Sequence, residues 1–378
     1  MESKCIIIVL ISLRLGGSER QALLLARYLC QQGAQVRVWG FSGPGRAAAL
    51  CDEYGVPWRV VPLRWPYRGI QRWVQRLGSL AGFAWTLRSA RPDVILPYTM
   101  FPNVICGLVW RWTGARLCVW NQRDEGLGRM GKAERWAVRQ TPWFVSNSQR
   151  GADFLVHTLG VKSDRVRVIH NGVELARPAS DRATWLSRLG VSEGCFLACM
   201  VANLSVLKDH ATLLQAWRRV GDRLDAIGQP AVLLLAGRFD DTHESLKALA
   251  RNLELGGRVR FLGQVDDVAG LLGTADLSVF SSHTEGCPNG VLESMAAGLA
   301  VAGTDIPGIR EAVGPDGYPF LAPPGDAEAL ADRILELAMD PELRAKLGAA
   351  NHRRIELEFS SQRMCEDTVA LLSKALGR

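Results

Sequence analysis

The strongest constraint on this chain is a rhythm that runs through it twice. Short apolar, β-branched stretches alternate with helical stretches of ten or more residues. "CIIIVLIS" reads as a strand, "ERQALLLARYLCQQG" as a helix, "AQVRVWGF" as a strand, "RWVQRLGSLAGFAWTLRSA" as a helix and "PDVILPY" as a strand, with "ARLCVWNQ" and "PWFVSNS" as further strands. This alternation predicts a parallel sheet with helices wound on both faces. The same grammar restarts at "CFLACMVAN" and continues through "AVLLLAGR", "RVRFLG", "DLSVFSS" and "LAVAGT". Two successive doubly wound α/β domains are therefore expected. A chain of 378 residues also exceeds what one core normally supports. The join is placed near "VIHNGVELARPASDR", where an Asn-Gly turn and a polar, Pro-containing stretch interrupt the pattern.

Charge divides the chain in the same place. Residues 1–180 hold 25 Lys+Arg against 11 Asp+Glu, whereas the remainder holds 20 against 27, so a net charge of +7 conceals a basic half and an acidic half. Halves of opposite sign suggest different partners, and a basic half suits nucleic acid, anionic lipid or a phosphorylated acceptor alike. The apolar run in "MESKCIIIVLISLRLGG" has neither a basic leader nor a small-residue cleavage site and is read as a buried first strand. The longest uncharged run, 94–110, contains Pro97, Pro102 and Asn103 and falls short of the roughly 20 apolar residues of a spanning helix. Nine scattered cysteines without a C-x-x-C pair suit neither a disulfide framework nor a zinc site, which points to a reducing, cytoplasmic setting.

In open α/β sheets, ligands bind beyond the carboxyl ends of the strands, so the strand-to-helix loops carry the functional information. The first is "LRLGGSERQ", where Gly16 and Gly17 would admit close backbone approach and Ser18 with Gln21 reads as a capping box. A tight turn that only needs glycine would carry the same pair. The second is "ANLSVLKDHATLL", where Asp209 is a helix N-cap and Lys208, just ahead of it, can offer a point charge to a phosphate; a solvated lysine is the alternative. The third is "EGCPNGVLE". Asn289 can cap the following helix, Gly290 admits close approach, and the N–H groups of Val291 and Leu292 are expected as free donors for a diphosphate. Glu285 and Glu293 could both face a cleft as hydroxyl acceptors, or be respectively solvated and a complement to the helix dipole. Together, anion-ready helix ends, one lysine and two carboxylates describe a site for a polyol carrying phosphates, such as a nucleotide sugar.

At these residues the chain resembles the family 4 retaining glycosyltransferases of GT-B fold. The resemblance runs through "GGSERQALLLARYL", "VSNSQ", "VIHNGV", "VANLSVLKDHATLLQAW", "LLLAG" and, most specifically, the stretch from Val259 to Val313. It implies two Rossmann-like domains facing across a cleft: residues 1–172 on the acceptor side and 173–360 holding the donor. A terminal helix over about 361–378 would pack back on the first domain. It further implies that Glu285 meets the hydroxyls of the transferred sugar, Glu293 the ribose, and Lys208 the leaving diphosphate with the Val291 and Leu292 backbone. Asn203, Gly286, Asn289 and Gly290 would complete the donor site, and Gly17 would lie near donor phosphate and acceptor, beside Gly16. Two departures stand out. Where many members carry a second, arginine phosphate clamp this chain has Asn203, for which Arg238 is a candidate substitute. In place of an acceptor-side histidine it has "WNQRDEG", with Arg123 and Asp124.

No D-x-D triplet, H-E-x-x-H or other metal cluster is found, so no metal or other cofactor is expected. The resemblance implies that a sugar moves, with retention, from a UDP- or GDP-linked donor to a saccharide or lipid-linked acceptor in cell-surface glycoconjugate synthesis. Nine of the twelve tryptophans fall between Trp58 and Trp143. Within the segment 58–88, Arg64, Arg68, Arg72 and Arg76 mix with Trp65, Tyr67 and Trp73, as in helices that lie on anionic membrane surfaces at a cytoplasmic face. The alternative is an ordinary amphipathic helix with Ile70, Val74, Leu77, Ala81 and Ala84 against the core. Three rival functions remain. An NAD-linked oxidoreductase lacks its G-x-G-x-x-G after the first strand, and a GT-B epimerase or phosphorylase would share the fold. A basic module binding nucleic acid or membrane shows no recognition signature, and nucleic acid fits poorly with the acidic half.

Overall fold

Six consecutive residues, Cys5–Leu10, are buried on both faces, which only a central parallel strand covered by helices on either side allows. In a computed structural model that describes residues 1–63, 65, 72–123 and 131–377, this strand (β1) organises the first sheet. Arg64, Tyr67, Arg68, Ile70 and Asp124, named above, lie outside the described residues. The other strands of the sheet are β2 (Gln35–Gly40), β3 (Trp58–Val60), β4 (Val94–Pro97), β5 (Leu117–Gln122), β6 (Trp143–Ser146) and β7 (Val166–Val168). All pair in parallel in the order β3-β2-β1-β4-β5-β6-β7. The second sheet contains β8 (Phe196–Val201), β9 (Ala231–Ala236), β10 (Val259–Gly263), β11 (Leu277–Phe280), β12 (Val301–Thr304) and β13 (Leu321–Ala322) in the order β10-β9-β8-β11-β12-β13. Both are Rossmann-like, doubly wound parallel sheets. In each the strand order reverses once, between β1 and β4 and between β8 and β11, and such a switch point opens a crevice at the carboxyl edge.

The chain divides into two compact units, Met1–Gly172 with Ser361–Arg378, and Val173–Ser360. The first unit owes its last element to the apolar face of the helix Ser361–Leu376: Met364, Cys365, Leu371 and Leu372 are buried in the same core as Leu23, Leu25 and Val36. The second unit centres on Trp217, fully buried among Leu213, Leu233 and Leu246, with its indole N–H donating to the Arg258 carbonyl at 2.9 Å. An apolar body with a satisfied polar tip is the condition under which tryptophan can be buried whole.

Two local expectations are corrected. Ser18 and Gln21 form no capping box: the helix Gly17–Gln31 starts from Gly16 without a side-chain cap, and the Ser18 hydroxyl donates to Glu19. The Gln21 amide instead pairs both ways with the backbone of Gly172, donating to its carbonyl at 2.9 Å and accepting from its N–H at 2.8 Å. A buried backbone at the end of the unit had to find partners, and Gln21 supplies both. The core-facing alternative for the helix Arg72–Ser89 holds for Ala84 but not for Val74, Leu77 and Ala81. Leu80, Phe83, Ala84 and Leu87 are buried, whereas Val74, Leu77 and Ala81 are exposed.

Candidate functional site

At the switch point of the second unit, the loop leaving β11 is stitched to backbone carbonyls of the loop leaving β8. The His283 N–H donates to the Leu207 carbonyl at 2.9 Å, and the Ser281 hydroxyl to the Lys208 carbonyl at 3.1 Å. After β8 the chain makes a single 3-10 turn, Val206–Lys208, and then places Asp209 in the left-handed region at φ 45°. Asp209 caps the helix His210–Asp225 by accepting from the Thr212 N–H at 3.3 Å, so Lys208 stands just outside a helix N-terminus. Its ammonium donates to Glu285 Oε1, and the Ser282 hydroxyl donates to the same oxygen at 2.9 Å. The Ser282 carbonyl is held in turn by Thr304 at the end of β12, at 2.8 Å.

The ion pair is mostly buried, with side-chain exposures of 25% for Lys208 and 12% for Glu285. Charges withdrawn from water this far need partners, because an unpaired one costs several kcal/mol. Beside them, His210 is 2% exposed and neither ring nitrogen has a hydrogen-bond partner. Burial, reinforced by the Lys208 charge, pushes its imidazole down to about 4, so it is neutral around pH 7.

Close packing of backbone fixes the glycines here. A Cβ on Gly290 would lie 2.1 Å from the Val201 carbonyl oxygen, and one on Gly308 would lie 2.3 Å from the Glu285 carbonyl oxygen. The "EGCPNG" loop therefore sits directly on the end of β8 and on the helix Pro307–Val313.

The helix Asn289–Ala296 differs from the sequence expectation. Pro288 is its N-cap and Asn289 its first residue, with no side-chain cap. The N–H groups of Val291 and Leu292 are not free: both donate to the Pro288 carbonyl, at 3.1 and 3.2 Å. The helix starts one residue earlier than a cap at Asn289 would allow, so the first-turn N–H without an acceptor among the described residues is that of Gly290. Glu293 is buried at 8% exposure one turn in, and Gly286 lies against Gly308.

Asn203 ties two loops together, its side-chain amide oxygen accepting from the Arg238 N–H at 3.1 Å. Arg238 is itself clamped by Asp240 through two bonds, of 2.7 and 3.2 Å. Reaching a phosphate would require it to leave that carboxylate.

In the first unit, Gly16 and Gly17 open the helix after β1, at that unit's switch point. Arg123, just past β5, lies over the Tyr98 ring at 4.7 Å and donates to the side-chain oxygens of Asn171 at 3.0 Å and Asn121 at 3.4 Å. Ser281, Ser282, Thr304 and Gly308 escaped the sequence reading. Serines and threonines at strand ends carry no distinctive spacing, and Gly308 matters only because another loop crosses it. Among the described residues, no group of three or more His, Cys, Asp or Glu side chains is placed to hold a metal ion.

Comparisons with known proteins bear on the family and the fold. The glycosyltransferase family 4 profile matches residues 15–177 and the glycosyl transferases group 1 profile matches residues 181–354. The N-acetyl-alpha-D-glucosaminyl L-malate synthase of Bacillus anthracis is 30% identical over 175 residues, 46% of this chain and 44% of that protein, so the chain spans about half the length of this relative. The 2-deoxystreptamine N-acetyl-D-glucosaminyltransferase of Streptomyces fradiae is 26% identical over 368 residues, 89% of this chain and 85% of that one. Among solved structures, Anabaena Alr3699/HepE in complex with UDP-glucose superposes with a TM-score of 0.84 at 21% identity, over 98% of this chain and 99% of its own. The chain belongs to the family 4 glycosyltransferases, the glycosyl transferases group 1, and has their GT-B fold.

Proposed function

We propose that this protein moves a sugar from a nucleoside-diphosphate sugar, UDP- or GDP-linked, to an acceptor hydroxyl, with retention at the anomeric carbon and without a metal ion. The observation that carries the reading is the Lys208–Glu285 pair at the switch point of the second sheet, beside Gly290. With the donor bound, the ammonium turns to the leaving diphosphate and Glu285, released from it, accepts hydroxyls of the transferred sugar. Each half of the buried pair exchanges one partner for another, so neither charge is left bare. The bond between the anomeric carbon and the diphosphate oxygen breaks, and the acceptor oxygen bonds to the same face of that carbon. Its proton passes to the leaving phosphate, so no dedicated base is required. Lys208 and the Gly290 N–H supply the charge stabilisation that an oxyanion hole supplies elsewhere. Glu293 is assigned to the ribose.

The acceptor is a saccharide or lipid-linked saccharide of cell-surface glycoconjugate synthesis. A relative 29% identical over 62% of this chain is a lipopolysaccharide core glycosyltransferase of Rhizobium meliloti. Among the described residues no helix is long and apolar enough to cross a membrane. We assign the protein to the cytoplasmic membrane face through the helix Arg72–Ser89. Val74, Leu77, Ala81 and Trp85 recur on one exposed side of it, and Arg88, at its end, donates to the carbonyl of the exposed Trp112.

The deciding experiment is thermal stabilisation by UDP, GDP and ADP with and without EDTA, on wild type and Glu293→Ala. One diphosphate at 100 times its dissociation constant adds about 2.7 kcal/mol, unaffected by EDTA and lost in the variant. No stabilisation by any of the three overturns the reading.

A further inference from the structure

Toward the amino ends of β2 and β3, at the opposite end of the sheet from the loops that bind ligands in such folds, lies a cleft of about 270 Å3. The last turns of the helix Arg72–Ser89 form its other wall. Pockets for drug-sized molecules run from about 300 to 1,000 Å3, so this one suits a single small group. Val36 and Val38 are buried in the core on one side of β2, which sets Arg37 and Trp39 on the other, the side that this helix covers. Trp39 pairs with Arg59 across the parallel ladder, so Arg37 and Arg59 are diagonal neighbours on one face, and both line the cleft.

Neither guanidinium has a hydrogen bond or an ion pair among the described residues. Arg59 lies over the Trp39 ring at 3.9 Å, a contact that holds the group while its N–H donors stay available. Desolvation, and then the like charge of Arg37, lower the Arg59 guanidinium below its ordinary value, so the two cations feel each other. The surrounding sequence is devoid of acid: from Tyr54 to Pro92 there are seven arginines and no Asp or Glu. Asp52, just before this stretch, accepts from the Trp58 indole N–H at 2.7 Å. A charge on an edge strand discourages the addition of further strands, which accounts for Arg59 on β3. It does not account for Arg37, whose strand is paired on both sides. Two like charges on one face repel until an anion joins them, and forked guanidinium donors match phosphate oxygens. On the facing helix the Thr86 and Ser89 hydroxyls donate to the Gly82 and Thr86 carbonyls, at 2.8 and 2.9 Å, so the charged donors lining the cleft are the two arginines. Ser89 is one turn on from the exposed Trp85, so the cleft opens beside the exposed apolar side of the helix, at the level where an interfacial helix meets lipid headgroups.

We infer that Arg37 and Arg59 form a binding site for a phosphate ester, with an anionic phospholipid headgroup as its source. That source rests on the membrane-face reading of the helix Arg72–Ser89; the phosphate site itself does not.

The test is calorimetry on the full chain, in saturating UDP so that the diphosphate site is filled. The probes are monomeric dihexanoylphosphatidylglycerol, dihexanoylphosphatidylcholine and glycerol 1-phosphate. Wild type, Arg37→Gln, Arg59→Gln and Arg59→Lys are compared with Arg88→Gln, which removes a charge outside the cleft. Phosphatidylglycerol binds wild type, and Arg37→Gln and Arg59→Gln each weaken it about tenfold, the scale of one lost charge-assisted contact. Arg59→Lys keeps part of the binding, and Arg88→Gln changes it less than about twofold. Melting temperatures of the two glutamine variants do not fall, because each removes one of two repelling charges. Tighter binding of phosphatidylglycerol than of glycerol 1-phosphate identifies the lipid as the source. Equal or tighter binding of glycerol 1-phosphate, with the same dependence on both arginines, keeps the site and replaces the lipid by a soluble ester. No binding of any probe to wild type, wild-type affinity in Arg37→Gln, an equal loss in Arg88→Gln, or equal binding of zwitterionic phosphatidylcholine each overturns the site. Wild type that binds glycerol 1-phosphate but does not float with phosphatidylglycerol vesicles removes the membrane reading and leaves the phosphate site standing.

Discussion

The ammonium of Lys208 and the carboxylate of Glu285, 77 residues apart in sequence, share one hydrogen bond at the end of the second sheet. Ser282, three residues before Glu285 in the same loop, donates to the same oxygen. The pair exists because β8 and β11 are neighbours in space though separated by two strands in the chain. Lys208→Ala and Glu285→Gln are each expected to lower kcat by about 100- to 1,000-fold with the preferred donor, the range for removing a charge-stabilising group. Ser282→Ala, which leaves the ion pair intact, is expected to lose less than about tenfold. Steady-state turnover of the three variants checks the order, and wild-type turnover in Lys208→Ala overturns it.

Gly290 should tolerate no side chain. Gly290→Ala forces a methyl group against the Val201 carbonyl and the Phe280 ring, backbone and core that cannot step aside cheaply, and is expected to cost about 1–3 kcal/mol in urea unfolding. Gly273, in the helix Val268–Thr274, has open space at the same atom. Gly273→Ala is expected to be neutral or to stabilise by up to about 1 kcal/mol.

His210 makes stability depend on acid. Its folded imidazole titrates at about 4 against an ordinary 6.5, so between those values the unfolded chain binds the extra proton and stability falls as pH falls. The loss is complete below about pH 4 and amounts to about 3 kcal/mol for this group. The urea midpoint measured from pH 7 to pH 4 should therefore shift less in His210→Leu, which removes two nitrogens that have no partner. An unchanged pH slope would show that His210 is not the titrating group.

The exposed face of the helix Arg72–Ser89 should bind anionic bilayers. Leu77 and Trp85 are 64% and 72% exposed, so Leu77→Ser with Trp85→Ser is expected to change folding stability by less than about 0.5 kcal/mol per site. Wild type should float with phosphatidylglycerol vesicles but not with phosphatidylcholine alone, and the double variant should remain at the bottom of the gradient. Wild type that stays at the bottom with both lipids removes the membrane assignment.

Much of this was legible in the chain. The buried parallel strands announce themselves because a strand covered on both faces must be apolar throughout, as "CIIIVL" and "AVLLLA" are. Asp209 was readable as a cap because the bond it makes is only three residues long. The strands Trp58–Val60, Val166–Val168 and Leu321–Ala322 were not readable, since two or three residues carry no period and only the neighbouring strand decides whether they pair. Ser18, Gln21 and Asn289 fit local capping patterns, yet Gln21 bonds Gly172, 151 residues on, and the helix beginning at Asn289 is capped by Pro288. Of the two readings of the helix Arg72–Ser89, the one that set Val74 and Leu77 against the core does not hold, because a stripe of apolar residues does not say which of two apolar stripes the core will take.

The sequence by itself determined two doubly wound sheets and the loops that carry chemistry, because periodicity, turns and caps act over a few residues. The tertiary structure decided which loops meet. It set Glu285 on Lys208, laid Gly308 under the Glu285 backbone, and brought Arg123 to the side-chain oxygens of Asn171 and Asn121. Those relations depend on the order in which strands pair across long stretches of chain, and no local pattern encodes that order.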